Sequence, residues 1–453
     1  MLLRFHVQNF RSFGEGTEIN TLPYAKLRTH RNHLYERDNF QLLKTTMLYG
    51  ANGSGKSNFT RGLYTLQSII CDGIVDSDAL TPFLLLEKFE DVTTDFEIEF
   101  VINEQYYLYT LSVLRTLVIE EALYRTDPKL ETERQLFERT FDPETETTSI
   151  DAAPELVNSE RDRIKLEVYQ QSVLEPDVPL LHLIGTKDIF PDLVEAYTWF
   201  DTYLHVIFPE SRYVGLLESM LVDSTFADFI NRILPKLDTG LERLEVIATP
   251  LDKFVFPAGD DYREKVETQL ADPRNKFVGL FPFERLTPYL IRRDESGEAM
   301  VYRLNTLHNC RKGDVRFRLD QESDGTLRLL DLLPAIRHLI ADERVIVVDE
   351  IGRSLHPLLL REFLAKFLNE STKGQLLFTT HDTSLLTLEL FRRDEIWMVE
   401  KDNCGQSKFH SLSDFKIRHD KDIRRDYLNG RFGGIPSLNG LRYQKWTDAE
   451  TTL

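Results

Sequence analysis

Residues 2–10 (LLRFHVQNF) alternate apolar and polar side chains and predict a strand. A polar stretch follows from Leu22 to about Asp38, and 45–49 (TTMLY) predicts a short buried strand running into Gly50. From Lys56 to about Ile70 the pattern changes to a helical one, with Phe59, Leu63, Leu66 and Ile70 on one face. Residues 96–124 hold three apolar runs, FEIEFVI, YYLYTLSVL and LVIEEALY. They predict consecutive antiparallel strands, with the first turn at Asn103-Glu104.

Residues 126–160 are rich in Asp, Glu, Thr and Pro and predict a loop at 142–155. Helical patterns dominate from about 155 to 245. In 224–234 Phe226, Phe229, Ile230, Ile233 and Leu234 form one stripe and Ser224 is placed to cap it. Residues 245–285 are punctuated by proline. Strands are expected at 289–304, in a hairpin around Glu295-Ser296-Gly297, and at 315–319. Then come a helix at 326–340, strand 344–348, helix 357–370, strand 375–380, helix 383–391 and strand 395–400. That alternation is the pattern of a parallel sheet covered by helices, an α/β fold. No internal repeat and no sustained heptad is present, so no long coiled coil is expected.

The chain has 453 residues, with 55 Lys+Arg against 74 Asp+Glu, a formal charge of −19. The 42% hydrophobic and 28% charged content excludes wholesale disorder. The acidic balance argues against wrapping nucleic acid over the whole surface, which leaves a local basic groove open. Cys71, Cys310 and Cys404 form no CxxC pair, which excludes a disulfide framework and fits a reducing, cytoplasmic compartment. No apolar run approaches a bilayer span. Arg4 and His6 stand where an export signal needs apolar residues, so no membrane or secretory role is expected.

Against that background, Gly50-Ala-Asn-Gly-Ser-Gly-Lys-Ser57 fits G-x-x-x-x-G-K-[ST] between a predicted strand and a predicted helix. The glycines let the backbone turn around a polyphosphate, and the following helix offers its positive end. Lys56 can reach the β- and γ-phosphates and Ser57 can ligate Mg²⁺. A flexible Gly/Ser turn is the alternative, and the flanking elements weigh against it. Arg344-Val-Ile-Val-Val-Asp-Glu350 places two acids at the C-terminal edge of a buried strand, where open α/β sheets bind ligands. Asp349 would hold Mg²⁺, directly or through water, and Glu350 would polarise an attacking water. Ser323-Asp-Gly-Thr326 opens a helix, where Ser323 can either receive a phosphate or simply cap. His381 closes the apolar strand 376–380. It is either a satisfied strand-end histidine or a group that senses the γ-phosphate. His381 and Asp382 are not read as a metal site, because no third ligand is evident nearby.

In this order, these residues resemble ABC-type P-loop ATPases of the RecF, SMC and OLD group. Asn9-Phe10-Arg11-Ser12-Phe13 resembles that group's N-terminal strand motif, and Gly50–Ser57 with Asn58 its Walker A loop. Glu322–Thr326 resembles its signature, Val345–Glu350 its Walker B strand, Ser354-Leu355-His356-Pro357 its D-loop, and His381 its H-loop. The segment ending Ile119–Tyr124, Leu237–Gly240 and the tail Asp426–Pro436 add a similarity to compact anti-phage defence ATPases of the AbiL/RloA-like and PARIS AriA-like kinds. The signature lacks a Ser-Gly-Gly run, and no Q-loop glutamine is identified.

The resemblance implies a P-loop fold of ABC type, with a mixed sheet core, an antiparallel N-terminal lobe and a mainly helical insert. Residues 1–150 would carry Walker A, 151–285 the insert, and 286–453 the signature, Walker B and H-loop. Catalysis would fall to Glu350 and His381. ATP would contact Arg11, Ser12, Asn52, Gly53, Ser54, Gly55, Lys56, Ser57 and Asn58 of one chain and Ser323 and Gly325 of another, with Mg²⁺ on Ser57 and Asp349. Sites shared in this way imply a homo-oligomer of at least two subunits. Only 72 residues follow His381, too few for the nuclease domain of OLD proteins, so a separate toxin or nuclease effector is expected. The leading expectation is an ATP-hydrolysing sensor that restrains or activates that effector when a phage-encoded trigger appears. A RecF-like DNA-repair ATPase and a non-catalytic nucleotide-dependent assembly switch are the alternatives. For Arg418, Lys421, Arg424, Arg425 and Arg431 of the tail, a solvated face with salt bridges is preferred over an anionic partner.

Overall fold

The computed structural model describes residues 1–435 except 38–39, 74, 76–77, 86–90, 128–131, 155, 158, 188–189, 212, 214, 256–260, 272–277, 281–288, 295, 311–312 and 418–420. Arg418, Glu295 and Pro436 therefore lie outside the described residues. The chain forms two compact units. One comprises Met1–Pro209, Leu339–Ile351 and Leu364–Leu453, the other Glu210–His338 and Gly352–Phe363.

The first unit holds two large sheets. A seven-stranded antiparallel sheet runs in the order Thr147–Ala152, Thr132–Asp142, Leu117–Asp127, Gln105–Leu114, Thr94–Ile102, Leu2–Gln8, Thr17–Asn20. Asn103 and Glu104 both take positive φ (45° and 68°), the backbone a tight two-residue hairpin turn requires. The other sheet runs Leu204–Ile207, Val345–Val348, Gln375–Thr380, Thr45–Tyr49, Ile396–Lys401, Ser407–Ser411. Its first five strands are parallel and the last antiparallel. Parallel strands covered on both faces read as continuous apolar runs, as VIVV does here, and TTMLY is likewise buried at every position. The helix Lys56–Asp72 buries the expected Phe59, Leu63, Leu66 and Ile70 in one core with Phe5, Phe10 and Phe96.

Several elements differ from the sequence expectation. The loop at 142–155 is a hairpin whose second strand is Thr147–Ala152, with Asp142 Oδ1 accepting the Glu144 N–H at 2.9 Å across the turn. The expected helix at 383–391 is a single 3₁₀ turn, Thr383–Leu385. Asp382 Oδ1 accepts the Ser384 N–H (2.8 Å) and Thr387 Oγ1 the Glu389 N–H (3.2 Å), so local side-chain acceptors displace helical bonds. The segment 151–285 carries helices at Glu160–Val168, Leu180–Gly185, Pro191–Thr198, Leu216–Val222 and Ser224–Ile233. It also supplies the sheet strand Leu204–Ile207 and the strand Leu241–Pro250, which the helical pattern concealed.

Glu121, in the EEALY run, is fully buried. It accepts the N–H groups of Leu180 (2.6 Å) and Leu181 (2.9 Å) and the Tyr109 hydroxyl (3.0 Å), with Arg139 at 3.7 Å. Burial raises its pKa, against the pull of Arg139 and these donors. Glu121→Gln strips Arg139 of its buried counter-charge and is expected to cost about 3 kcal/mol in urea unfolding. A loss below about 1 kcal/mol would show that the pair is dispensable.

The second unit packs Leu216–Val222 and Ser224–Ile233 against the antiparallel strands Leu241–Pro250, Ala299–Cys310 and Tyr289–Arg293, with Gly313–Arg318 beside Ala299–Cys310. The stripe of Phe226, Ile230 and Leu234 is buried there. Its cap is Asp223, one residue before the expected Ser224. Asp223 Oδ1 accepts the Phe226 N–H at 3.0 Å while Arg337 holds the other oxygen at 2.8 Å. Among the described residues no helix is long and apolar enough to cross a membrane.

Candidate functional site

Strand Thr45–Tyr49 ends at Gly50, and helix Lys56–Asp72 starts after Gly55. The loop between them needs its glycines for different reasons. A Cβ on Gly50 would lie 2.3 Å from the Val399 carbonyl, and one on Gly55 2.0 Å from Ser407 Oγ. Gly53 has open space beside it but takes φ 76°. Asn52 and Gly53 are exposed at the tip, whereas Ser54, Gly55 and Lys56 are buried. Lys56 Nζ donates to the carbonyls of Gly50 (2.7 Å) and Ala51 (2.9 Å). Burial lowers its pKa, and the carboxylates of Asp349 and Glu350 oppose that.

A chain of hydroxyls braces the loop from outside. Ser12 Oγ accepts from Asn58 Nδ2 (2.9 Å) and is hydrogen-bonded to Ser407 Oγ (2.8 Å), which donates to the Ser54 carbonyl (2.7 Å). Ser12 sits in a tight turn in which Asn9 and Arg11 take left-handed φ (47° and 52°) and Phe10 bridges Phe13. The Arg11 guanidinium lies 5.5 Å from the Phe10 ring centroid, and its Nε is buried with no protein partner. Burial, and then the charge of Arg61, lower its pKa.

The acid pair follows strand Val345–Val348. Asp349 is buried, and its Oδ1 accepts from Ser57 Oγ (3.1 Å) and Thr379 Oγ1 (2.5 Å). Thr379 Oγ1 also accepts the Glu350 N–H (2.8 Å), and its carbonyl the Ile351 N–H (3.1 Å). Glu350 is thereby held in a left-handed conformation, φ 48°. One threonine sets both acids. Sequence reading missed it, though a polar residue inside the buried strand Gln375–Thr380 was the available signal. His381 is exposed at the end of that strand, with its carbonyl receiving the Tyr49 hydroxyl at 3.2 Å. The fold thus gathers Ser12, Ser54, Gly55, Lys56, Ser57, Asn58, Asp349, Glu350 and His381 at the C-terminal edge of the parallel strands. Hard oxygen donors from Ser57 and Asp349, beside a glycine cradle, suit Mg²⁺ with a phosphate.

Ser323 and Gly325 belong to the second unit. Ser323 Oγ accepts the Thr326 N–H (3.1 Å), so the capping arrangement is formed. Glu322 accepts from His308 Nε2 (2.7 Å) and from Thr306 Oγ1, which ties the start of this helix to the strand Ala299–Cys310. A Cβ on Gly325 would lie 2.7 Å from the Ser354 carbonyl, so the two short motifs touch.

The family described as "AAA domain, putative AbiEii toxin, Type IV TA system" matches residues 45–387. No curated protein matches the chain significantly. Among solved structures, the SMC head domain from Thermotoga maritima is 13% identical, covering 90% of this chain and 98% of that one at a TM-score of 0.34. An Smc head domain with an extended coiled coil bound to the C-terminal domain of ScpA, derived from Pyrococcus furiosus, is 14% identical, covering 91% and 97% at 0.40.

Proposed function

The chain belongs to this AAA-domain family, and we propose that it hydrolyses ATP with Mg²⁺ and uses the nucleotide to control a separate toxic effector. Membership agrees with the resemblance of its motifs to ABC-type ATPases of the RecF and SMC group. The observation that carries the ATPase part of the proposal is the meeting of Ser57 and Asp349, 292 positions apart, at 3.1 Å beside the Lys56 ammonium; the effector part is supported by the toxin–antitoxin setting in the family's description.

In this reading the N–H groups of the loop and Lys56 hold the triphosphate, while Ser57 and Asp349 hold Mg²⁺, which offsets phosphate charge when bound. Glu350 orients a water and draws its proton as the water oxygen bonds to the γ-phosphorus. The bond from that phosphorus to the β–γ bridging oxygen breaks, and ADP leaves. His381 donates to the γ-phosphate. Ser323 and Gly325 of a second copy complete each site, so ATP joins two copies and hydrolysis parts them. Ligand binding moves such an equilibrium only by binding one state more tightly.

Thr379→Val removes the hydroxyl shared by both acids. It is expected to lower turnover about tenfold and to raise the Mg²⁺ needed for half-maximal phosphate release. An unchanged Mg²⁺ titration would refute that link. The defence role is tested by plating phages on cells carrying the gene with its neighbouring reading frames. Plaques should be reduced with wild type and restored with Lys56→Ala. Equal plaques in both strains, with turnover stimulated by DNA ends in a salt-dependent way, would replace defence by repair.

A further inference from the structure

The segment after the short helix Ile423–Leu428 lies against the root of the phosphate loop. Gly433 and Gly434 take left-handed φ (71° and 67°), and a Cβ at Gly433 would meet Glu400 Oε2 at 2.0 Å, so the close approach requires glycine. The Gly434 carbonyl accepts the Ala51 N–H (3.0 Å) and the Tyr427 hydroxyl (2.8 Å), while the Gly434 N–H donates to Glu400 (3.0 Å). The buried Tyr427 ring meets Tyr49 edge-on, with centroids 4.9 Å apart and planes at 89°. Tyr49 is the last residue before Gly50 in its strand, and its hydroxyl donates to the His381 carbonyl at 3.2 Å.

We propose that Tyr427 is a positioning residue for the ATP hydrolysis inferred above, acting through Tyr49 to fix His381; the inference rests on that reading. An edge-to-face contact holds the Tyr49 ring in one orientation, and the ring directs the hydroxyl that anchors the His381 backbone. The phosphate cradle has its own supports, in Ser12 and Ser407 against Ser54 and Asn58 and in the Gly50 and Ala51 carbonyls on Lys56. Losing Tyr427 also removes one donor from the Gly434 carbonyl, but that carbonyl keeps its bond to the Ala51 N–H, so His381 is loosened more than the cradle and the effect falls on turnover rather than on nucleotide affinity.

The test measures phosphate release and calorimetric ATP affinity on the full chain. Tyr427→Ala should lower kcat about tenfold while ATP Kd stays within about twofold. Tyr427→Phe keeps the ring contact but loses the hydroxyl that meets Tyr49 and the Gly434 carbonyl, and should recover part of the rate. Tyr49→Phe, which deletes only the hydroxyl reaching His381, should lower kcat in the same sense and provides the reading if Tyr427→Ala does not fold. Wild-type kcat in Tyr49→Phe and Tyr427→Ala, or a loss carried entirely by Kd, overturns the inference while leaving the proposed function standing. Absence of turnover in the wild-type chain overturns the proposed function itself, and this inference with it.

Discussion

Lys56→Ala is expected to abolish ATP binding, with calorimetric affinity weakened by roughly a hundredfold or more. The ammonium is buried at the base of the loop and held by the Gly50 and Ala51 carbonyls. Burial makes the charged form costly, and the nearby carboxylates of Asp349 and Glu350 offset that cost. A triphosphate entering beside those two acids needs this cation, and alanine removes it while the like charges of both acids remain. Lys56→Arg should not rescue, because a planar fork does not fit a position shaped for a compact ammonium. ATP affinity equal to wild type in Lys56→Ala would reject the phosphate-cradle assignment.

Glu350→Gln should separate binding from chemistry. The amide is nearly isosteric, and the backbone N–H bond to Thr379 that holds residue 350 at φ 48° is retained. ATP affinity should therefore survive while phosphate release falls about 10²- to 10⁴-fold, the range of a lost general base. With ATP no longer consumed, the joined form should accumulate, visible as a doubled mass in light scattering. Equal phosphate release by wild type and variant would reject Glu350 as the base and favour the assembly-switch reading. A monomer under all nucleotide conditions would remove site sharing with Ser323 and Gly325.

Local features were readable from the sequence. The loop Gly50–Ser57 is contiguous, so spacing alone located it between the strand Thr45–Tyr49 and the helix Lys56–Asp72. The strand Gln375–Thr380 and helix Pro357–Glu370 also fall at the expected bounds, because the apolar LLF run and the helix's periodicity leave little choice. Leu204–Ile207 was hidden, since four residues (LHVI) inside a helical context carry no period of their own. The helix expected at 383–391 failed because Asp382 and Thr387 offer closer acceptors than a helix does. At the site, Ser12 and Ser407 meet across 395 positions and Tyr427 reaches Tyr49 from the far end of the sequence. Neither pairing leaves a local pattern.

The serine brace has a practical corollary for anyone preparing a shortened protein. The family match spans 45–387, yet Ser12, Ser407 and Gly434 all fall outside it. An excised fragment with those limits would retain the Walker A, signature, Walker B and H-loop residues and discard the Asn9–Phe13 motif and the struts that brace the cradle. Its failure to take up nucleotide would then report on the trimming, not on the protein.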